Sequence, residues 1–592
     1  ARALGRVLGL DRRHLAEKFK NNETFIWVKR QVSPDEARRV AELNLTGVES
    51  LKESKRFYPN KLLAAHLLGF VGIDNLGLEG LEVGYNEYLK GGIDRYRIKR
   101  DALGRTYLDP ESGLPEKSKG ANIHLTLDRR LQYVTEKALA KAAEKHQAKA
   151  GVALIVRPQT GEILALAVWP GFNPNVFGSY NASQRRNRVL TDAFEPGSTF
   201  KVFLVAAALE EGLIKPTQQF YCENGAYRVG KHIVHDHASY NWLTVSNVVK
   251  YSSNIGAVKI SEKLGKEKLH YYLSRFSFGR ELGIDFPIES PGFLRPYKRW
   301  YEIDAANMAF GQSVSVTALQ MTMAMAALAN DGLLLRPFLV DRITDASGNL
   351  IKKTTPTVIR RVVSPQTARE LQAMLRLVVT EGGTGSRAEP KGYPAAGKTG
   401  TAQKLDRQTG TYSNKKFFSS FIGFVPYNDP RLVIFVGLDE PADEIYGGTV
   451  AAPAFKEIAE EALPLLNVPP VQSAPADSAV LAAANPGPQP SNKIRVKINR
   501  GVNAAADGLK AAAAAKEPGP KDKAMEAEPK VEIRDGYMPD LAGLSMRGVL
   551  DMMSRYGVYV NFIGSGLAVW QSPSPGEPLR SGQMCQVKFE QR

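Results

Sequence analysis

The chain has 592 residues, 43% hydrophobic and 23% charged, enough for three or four ordinary globular domains. Its net charge of +17 is spread among acids, with no Lys/Arg block, zinc-finger spacing or base-stacking motif. No nucleic-acid partner is therefore expected, and a basic surface facing an anionic polymer or a membrane fits the charge. The two cysteines, Cys222 and Cys585, are too far apart to imply a disulfide framework, and no apolar run reaches membrane-spanning length.

Residues 1–120 mix short amphipathic helices with Gly-rich turns. Ser33 before Pro34-Asp35-Glu36 marks a helix start, with proline at the first helical position and acids in the first turn. No nucleophile or metal constellation stands here. His66, inside the apolar run from Leu62 to Leu68, reads as a hydrogen-bonded packing residue.

From 121 the pattern changes. Ile123 to Leu127 alternates like a strand, and Leu131 to His146 reads as an amphipathic helix. Val152–Val156 and Ile163–Ala167, flanking Pro158-Gln159-Thr160-Gly161, read as an antiparallel hairpin. Glu195-Pro196-Gly197-Ser198-Thr199-Phe200-Lys201 then leads into Val202 to Leu209, apolar on every face and closed by Gly212: a helix buried all round. Ser198 reads as the helix opener, and Lys201, three residues on, shares its face. A hydroxyl there has backbone N–H groups and the positive helix end beside it, as a nucleophile that builds an oxyanion requires. Alone the pair is weak. A plain N-cap and a solvated lysine fit it too, and Ser413-Asn414-Lys415-Lys416 repeats the spacing with no apolar helix behind it.

Residues 219–243 read as loop and gather His232, His235, Asp236 and His237. Their tight spacing matches no common tetrahedral zinc pattern and lacks an evident fourth ligand, so no metal is expected. Cys222 reads as structural. Thr244–Tyr251 and Ile255–Leu264 read as helices joined by Ser252-Ser253-Asn254, a loop that presents a hydroxyl and an amide side by side. The same Ser-x-Asn at Ser179 and Ser239 does not lie between helices. Gly311-Gln312-Ser313 leads into a buried helix from Thr317 to Ala329, whose methionines are core packing.

Gly392-Tyr393-Pro394-Ala395-Ala396-Gly397-Lys398-Thr399 satisfies a phosphate-loop pattern. Its context refuses that reading, because no apolar strand precedes it and no helix follows. Phe418–Val425 and Leu432–Leu438 instead read as an antiparallel hairpin, and Lys398-Thr399-Gly400-Thr401 as an edge strand. Gly400, lacking a side chain, would let a peptide pair with that edge, with Lys398 and the threonine hydroxyls facing a carboxylate. After Leu466 an Ala-, Pro-, Lys- and Gly-rich tract to about 532 reads as a linker. The last sixty residues recover globular character: a helix from Ser545 to Tyr556 stopped by Gly557, strands at Val558–Ile563 and Gln586–Glu590, and a turn at Ser572–Gly576.

Ser198-x-x-Lys201, Ser252-x-Asn254 and Lys398-Thr399-Gly400, in that order, form the motif set of penicillin-binding proteins and serine β-lactamases. The Ser-Ser-Asn centre resembles class B penicillin-binding proteins. So do Arg56-Phe57-Tyr58-Pro59, His66 with Gly69, and Gly77-Leu78-Glu79-Gly80-Leu81-Glu82, which resemble their non-catalytic pedestal. Met538-Pro539-Asp540-Leu541-Ala542-Gly543 and Gln571-Ser572-Pro573-Ser574-Pro575-Gly576 resemble a single PASTA domain. The resemblance implies a multidomain α+β chain: an incomplete pedestal (dimerisation-type) domain at 1–120, a transpeptidase domain at 121–468 with helices on both faces of an antiparallel sheet, an Ala/Pro-rich linker at 469–532, and a small α+β PASTA domain at 533–592.

It further implies a peptidoglycan D,D-transpeptidase of the division or sporulation type. Ser198 would attack the carbonyl between the last two D-Ala residues of a stem peptide. Lys201 would be its base, made neutral by burial and by neighbouring Lys398. Ser252 would relay a proton to the leaving amine, and Asn254 would orient the substrate amide and Lys201. Lys398, Thr399 and Thr401 would hold the terminal carboxylate, with the backbone N–H groups of Ser198 and Thr401 as oxyanion hole. The amine of a second stem peptide would resolve the ester, with no cofactor or metal. β-Lactams, a membrane-embedded glycan polymerase and division proteins are the further partners implied. The place implied is the outer face of the bacterial cytoplasmic membrane, through an N-terminal anchor expected to precede Ala1. A D,D-carboxypeptidase would differ only in the acceptor. A β-lactamase would need a deacylating base, and no Glu-x-x-Leu-Asn lies between Asn254 and Lys398. A wall-binding scaffold would not need all three motifs intact.

Overall fold

The computed structural model describes residues 1–21, 26–51, 53–91, 98–100, 106–108, 119–406, 410–470, 537–553, 559–564, 566–578 and 584–590. The chain divides into two compact units, Ala1–Ala511 and Ala512–Arg592. The expected linker lies outside the described residues apart from 469 and 470.

Five strands build the central sheet of the first unit: β1 (Ala150–Val156), β2 (Ile163–Trp169), β3 (Ala396–Asp406), β4 (Thr411–Val425) and β5 (Leu432–Asp439). Their spatial order is β3-β4-β5-β1-β2, with every neighbouring pair antiparallel. The helices that cover it are α1 (Arg129–Lys145), α2 (Lys201–Glu210), α3 (Asn254–Leu264), α4 (Ala318–Ala329), α5 (Pro365–Val379) and α6 (Ala452–Leu465). Successive strand side chains point to opposite faces. Val152, Leu154 and Val156 of β1 accordingly join one core with α2, α3, α4 and α5, while Ala153 and Ile155 join another with α1 and α6. Both faces are covered, so these strands read as unbroken apolar runs. Burying each Val, Leu or Phe here contributes about 1.5–3 kcal/mol.

The helix starts where hydrogen-bonding side chains permit. Asp128, Thr317 and Ser364 accept backbone N–H groups at the first turns of α1, α4 and α5. The expected start at Ser198 is different. Gly197–Phe200 is a 3-10 turn, and α2 begins at Lys201 with no side-chain cap. Gly197 takes a left-handed φ of 57°, and the Thr199 hydroxyl closes the turn by donating to the Pro196 carbonyl at 2.7 Å. The Ser198 hydroxyl is thereby not consumed as a cap.

Residues 219–243, read as loop, carry short strands: Gln219–Tyr221 pairs with Trp242–Thr244, and Ala226–Val229 with His232–His235. The strand near Ile123 pairs with Val340–Thr344 in a separate three-stranded sheet. At the N-terminus, Ser33 and Glu36 form a reciprocal capping box at the start of Pro34–Glu42. The pedestal motifs converge: Tyr58 donates to Glu82 at 3.1 Å, and Arg56 pairs with Glu82 at 2.9 Å. His66 is a packing residue as expected, its Nε2 donating to the Gln184 carbonyl at 2.9 Å and its pKa pushed down to about 4 by burial.

In the second unit, the helix Met546–Met553 accompanies three strands, with Met584–Glu590 between a parallel neighbour, Tyr559–Gly564, and an antiparallel one, Leu567–Ser572. The last of these strands was not expected from sequence, and the expected helix stop at Gly557 lies outside the described residues. Met538, Leu541, Leu544, Val549, Cys585, Val587 and Phe589 form its own core. Gln571 fastens the two motifs, accepting from Leu541 N–H at 2.7 Å and donating to the Pro539 carbonyl at 2.8 Å.

Candidate active site

The 3-10 turn at Gly197–Phe200 carries Ser198 and hands over to α2 at Lys201, three positions on, a spacing that sets the two side chains on one side of the chain. Ser198 is partly exposed, whereas Lys201 is 1% exposed. The buried amine is held by three oxygens: the Ser252 carbonyl at 2.5 Å, Asn254 Oδ1 at 2.7 Å and Ser252 Oγ at 3.3 Å. Ser252 can offer both oxygens because it takes a left-handed φ of 62°, between the helix Val245–Tyr251 and α3. Asn254 opens α3, and its Nδ2 donates to the His235 carbonyl at 2.8 Å.

Lys398 arrives from the other side, on β3, which is an edge of the sheet as expected. It is fully buried, and its Nζ donates to Ser252 Oγ at 2.9 Å. Thr399 donates to Thr384 Oγ1 at 3.1 Å, and Thr401 Oγ1 accepts the Gly447 N–H at 3.1 Å. A Cβ built on Gly400 would lie 2.5 Å from Ser420 Oγ, 2.9 Å from Thr199 Cγ2 and 3.0 Å from the Pro196 carbonyl. The missing side chain thus lets the nucleophile turn pack on the strand, a reason the sequence did not reveal. All the candidate residues, Ser198, Lys201, Ser252, Asn254, Lys398, Thr399, Gly400 and Thr401, fall on these three adjoining segments.

Neither lysine has a carboxylate within ion-pair distance among the described residues. Burial pushes Lys201 down to about 7, against Asp236, which raises it. Burial and then the charge of Lys201 drive Lys398 well below its ordinary value. The expected repulsion between the amines therefore falls on Lys398.

Asp236 is the residue whose role was missed. Considered only with the histidine cluster, it instead accepts from Ser253 Oγ at 2.6 Å, from Ile255 N–H at 3.1 Å and from Asn254 N–H. It anchors the Ser252–Asn254 loop at the start of α3. No group of three or more His, Cys, Asp or Glu placed to hold a metal occurs among the described residues. His237 keeps solvent contact and meets the Tyr446 ring edge-on at 6.2 Å. Cys222 is buried under Ser253, its thiol pushed up to about 11 by that burial.

A serine on a tight turn, a buried lysine of lowered pKa three residues on, and a hydroxyl linking that lysine to a second one are an arrangement suited to serine acyl transfer. Family comparison agrees. Residues 151–460 match the penicillin binding protein transpeptidase domain, 1–125 the penicillin-binding protein dimerisation domain and 536–590 the PASTA domain. The chain belongs to the penicillin-binding protein transpeptidase family, and the expected class B architecture with a PASTA domain is borne out. It is 37% identical over 465 residues to the probable peptidoglycan D,D-transpeptidase PbpC of Pseudomonas aeruginosa, covering 77% of this chain and 79% of that protein. With stage V sporulation protein D of Bacillus subtilis it shares 38% identity over 446 residues, 74% of this chain and 69% of the relative. The crystal structure of penicillin binding protein 3 from Mycobacterium tuberculosis superposes with a TM-score of 0.63 at 32% identity, covering 71% of this chain and 93% of that one.

Proposed function

We propose that this chain is a peptidoglycan D,D-transpeptidase that cross-links stem peptides through an acyl-enzyme on Ser198. The observation that carries the reading is the Ser252 hydroxyl set between two buried amines, Lys398 at 2.9 Å and Lys201 at 3.3 Å. A substrate carboxylate entering beside Thr399 and Thr401 would favour the charged form of Lys398. Lys201, lowered by its burial, is then neutral to take the proton of Ser198 as its Oγ attacks the terminal D-Ala–D-Ala carbonyl. Backbone N–H groups of Ser198 and Thr401 receive the oxyanion, Asn254 orients the substrate amide and Lys201, and Ser252 passes the proton to the departing amine. The amine of a second stem peptide then resolves the ester.

Similarity to stage V sporulation protein D and to the Escherichia coli peptidoglycan D,D-transpeptidase FtsI supports a role in septal wall synthesis. The work is placed outside the cytoplasmic membrane, and a membrane tether, a glycan polymerase and division proteins accompany that reading. β-Lactams fit the same site, as the related Mycobacterium tuberculosis protein complexed with aztreonam and with ampicillin supports. Fluorescent penicillin is expected to label this protein covalently and Ser198→Ala not at all. Ser413→Ala should label normally, since the Ser413 hydroxyl only accepts the Lys415 and Lys416 N–H groups at 3.2 and 3.1 Å. Labelling that survives in Ser198→Ala would refute the assignment.

A further inference from the structure

Three residues ahead of Ser198, the Glu195 carboxylate is divided in an unusual way. Its Oε1 accepts both the Ser313 N–H at 2.9 Å and the Tyr412 hydroxyl at 3.0 Å. Its Oε2 is buried and has no hydrogen-bond partner among the described residues. A buried carboxylate oxygen left unpartnered is costly, so a fold that keeps one calls for a function. Glu195 lines a cavity of about 460 Å³ together with Phe194, Ala402, Gln403, Lys404 and Phe418.

That cavity adjoins the acyl-transfer centre. A Cβ built on Gly197 would lie 3.2 Å from both the Ala402 Cβ and the Thr401 carbonyl, so the nucleophile turn and the continuation of β3 past Thr401 are in contact. The other acids at the cavity already have cations: Asp192 pairs with Arg186 at 2.8 Å and Arg188 at 2.9 Å, and Asp439 with Lys404 at 2.6 Å. Among the described residues Glu195 has no cation partner. Phe194 and Phe418, stacked with centroids 4.0 Å apart, give the cavity an apolar wall that suits methylene groups. An apolar wall beside one uncompensated carboxylate fits a primary ammonium on an aliphatic chain.

We propose that this cavity is the acceptor subsite of the transfer reaction, with Glu195 binding the incoming alkylammonium of the second stem peptide and taking one of its protons; the proposal rests on the transpeptidase reading above. The neutral nitrogen forms a C–N bond to the acyl carbon as the C–Oγ bond to Ser198 breaks. The second nitrogen proton returns to Ser198 Oγ, and the one on Glu195 passes to solvent. Burial pushes Glu195 up to about 7, which suits a group that exchanges a proton near neutral pH.

The test compares wild type with Glu195→Gln and Tyr412→Phe at pH 7. Two rates are read: acylation by fluorescent penicillin, and partition of a thioester donor's acyl group between water and an added amine. The amines are a tripeptide with a free side-chain alkylamine and hydroxylamine, which is neutral at that pH. For Glu195→Gln, acylation and transfer to hydroxylamine should stay within about twofold, while the alkylamine concentration for half-maximal transfer rises at least about tenfold. Tyr412→Phe, which leaves the carboxylate charge, should keep alkylamine transfer within about threefold. Unchanged alkylamine transfer in Glu195→Gln overturns the subsite, as does an equal loss for hydroxylamine or an equal loss in Tyr412→Phe. If penicillin does not acylate the wild type, the transpeptidase reading itself falls. Normal acylation with unaltered amine partition sinks the acceptor site alone.

Discussion

Lys398 and Ser252, 146 residues apart in sequence, meet in a 2.9 Å hydrogen bond in which the lysine Nζ donates to the serine Oγ. Because the same Oγ lies 3.3 Å from Lys201 Nζ, the hydroxyl is a bridge between two buried amines, each shifted toward its neutral form. Three chain segments are needed to build it. The first residue of α2 supplies Lys201, a left-handed Ser252 supplies the bridge, and an edge strand supplies Lys398.

The first expectation is a pH profile. Lys201 is pushed down to about 7, and the base proposed for it must be neutral, so acylation should fall as pH drops through that value and level off above it. Asp236 raises Lys201, so Asp236→Asn should move the inflection to lower pH. The second-order rate of penicillin acylation from pH 5.5 to 9 would show this. A flat profile would remove Lys201 from the role of base.

Asp236 also carries a structural load. Removing it in Asp236→Ala leaves the α3 N–H groups at Asn254 and Ile255 without their acceptor, and frees Ser253. Loss of such a cap costs about 1–2 kcal/mol, to be read by denaturant unfolding of the first unit. Acylation should fall by at least about tenfold, since Asn254 and Ser252 would lose their fixed position under Lys201. Asp236→Asn, which still accepts hydrogen bonds, should recover most of the stability.

Gly400 and Gly447 are closed to any side chain. A Cβ on Gly447 would lie 2.2 Å from the Ser420 carbonyl and 2.4 Å from the Gly400 carbonyl, both backbone atoms that cannot step aside. Gly400→Ala and Gly447→Ala should each destabilise by about 1–3 kcal/mol and slow acylation, because the strain is relieved by moving β3 off the nucleophile turn. Wild-type acylation in either variant would mean that the turn-to-strand contact does not set the reaction geometry.

The parts of this site legible in sequence are those whose chemistry lies within a few consecutive residues. Ser198 and Lys201 share one turn, Ser252 and Asn254 one loop, and Lys398 to Thr401 one strand, so motif and local context sufficed. Asp236 was not legible, because it caps a helix that starts 18 residues later, and the strand pairing that brings it there links two four-residue segments too short to show a strand's alternation. The 3-10 start at Gly197 was hidden for a related reason. A serine after Pro-Gly is a good cap by propensity, but the turn is closed by the Thr199 hydroxyl on the Pro196 carbonyl, with Gly197 packed close to Thr401 and Ala402. The five-stranded order was only partly legible, since β5 joins β1 across almost the whole domain and hairpin signals report neighbours alone.

The last expectation concerns where the catalytic unit ends. The second unit has its own core, from Met538 to Phe589, and the tract before it is too poor in large apolar residues to form one. Truncation should therefore be neutral to catalysis, provided the cut spares what closes the sheet. That closure extends past α6: the Tyr393 hydroxyl, just ahead of β3, donates to the Val468 carbonyl at 3.0 Å. A chain ending at Pro470 keeps this bond and should be acylated by penicillin within about twofold of the full chain. A chain ending at Ala462 loses the last turn of α6, the buried Leu463 and the Tyr393 contact, and should unfold at least about 2 kcal/mol more easily, with β3 the first strand to loosen. Amide exchange along residues 396–406 would report that loosening. A large loss of acylation in the Pro470 chain would instead mean that the second unit completes the site.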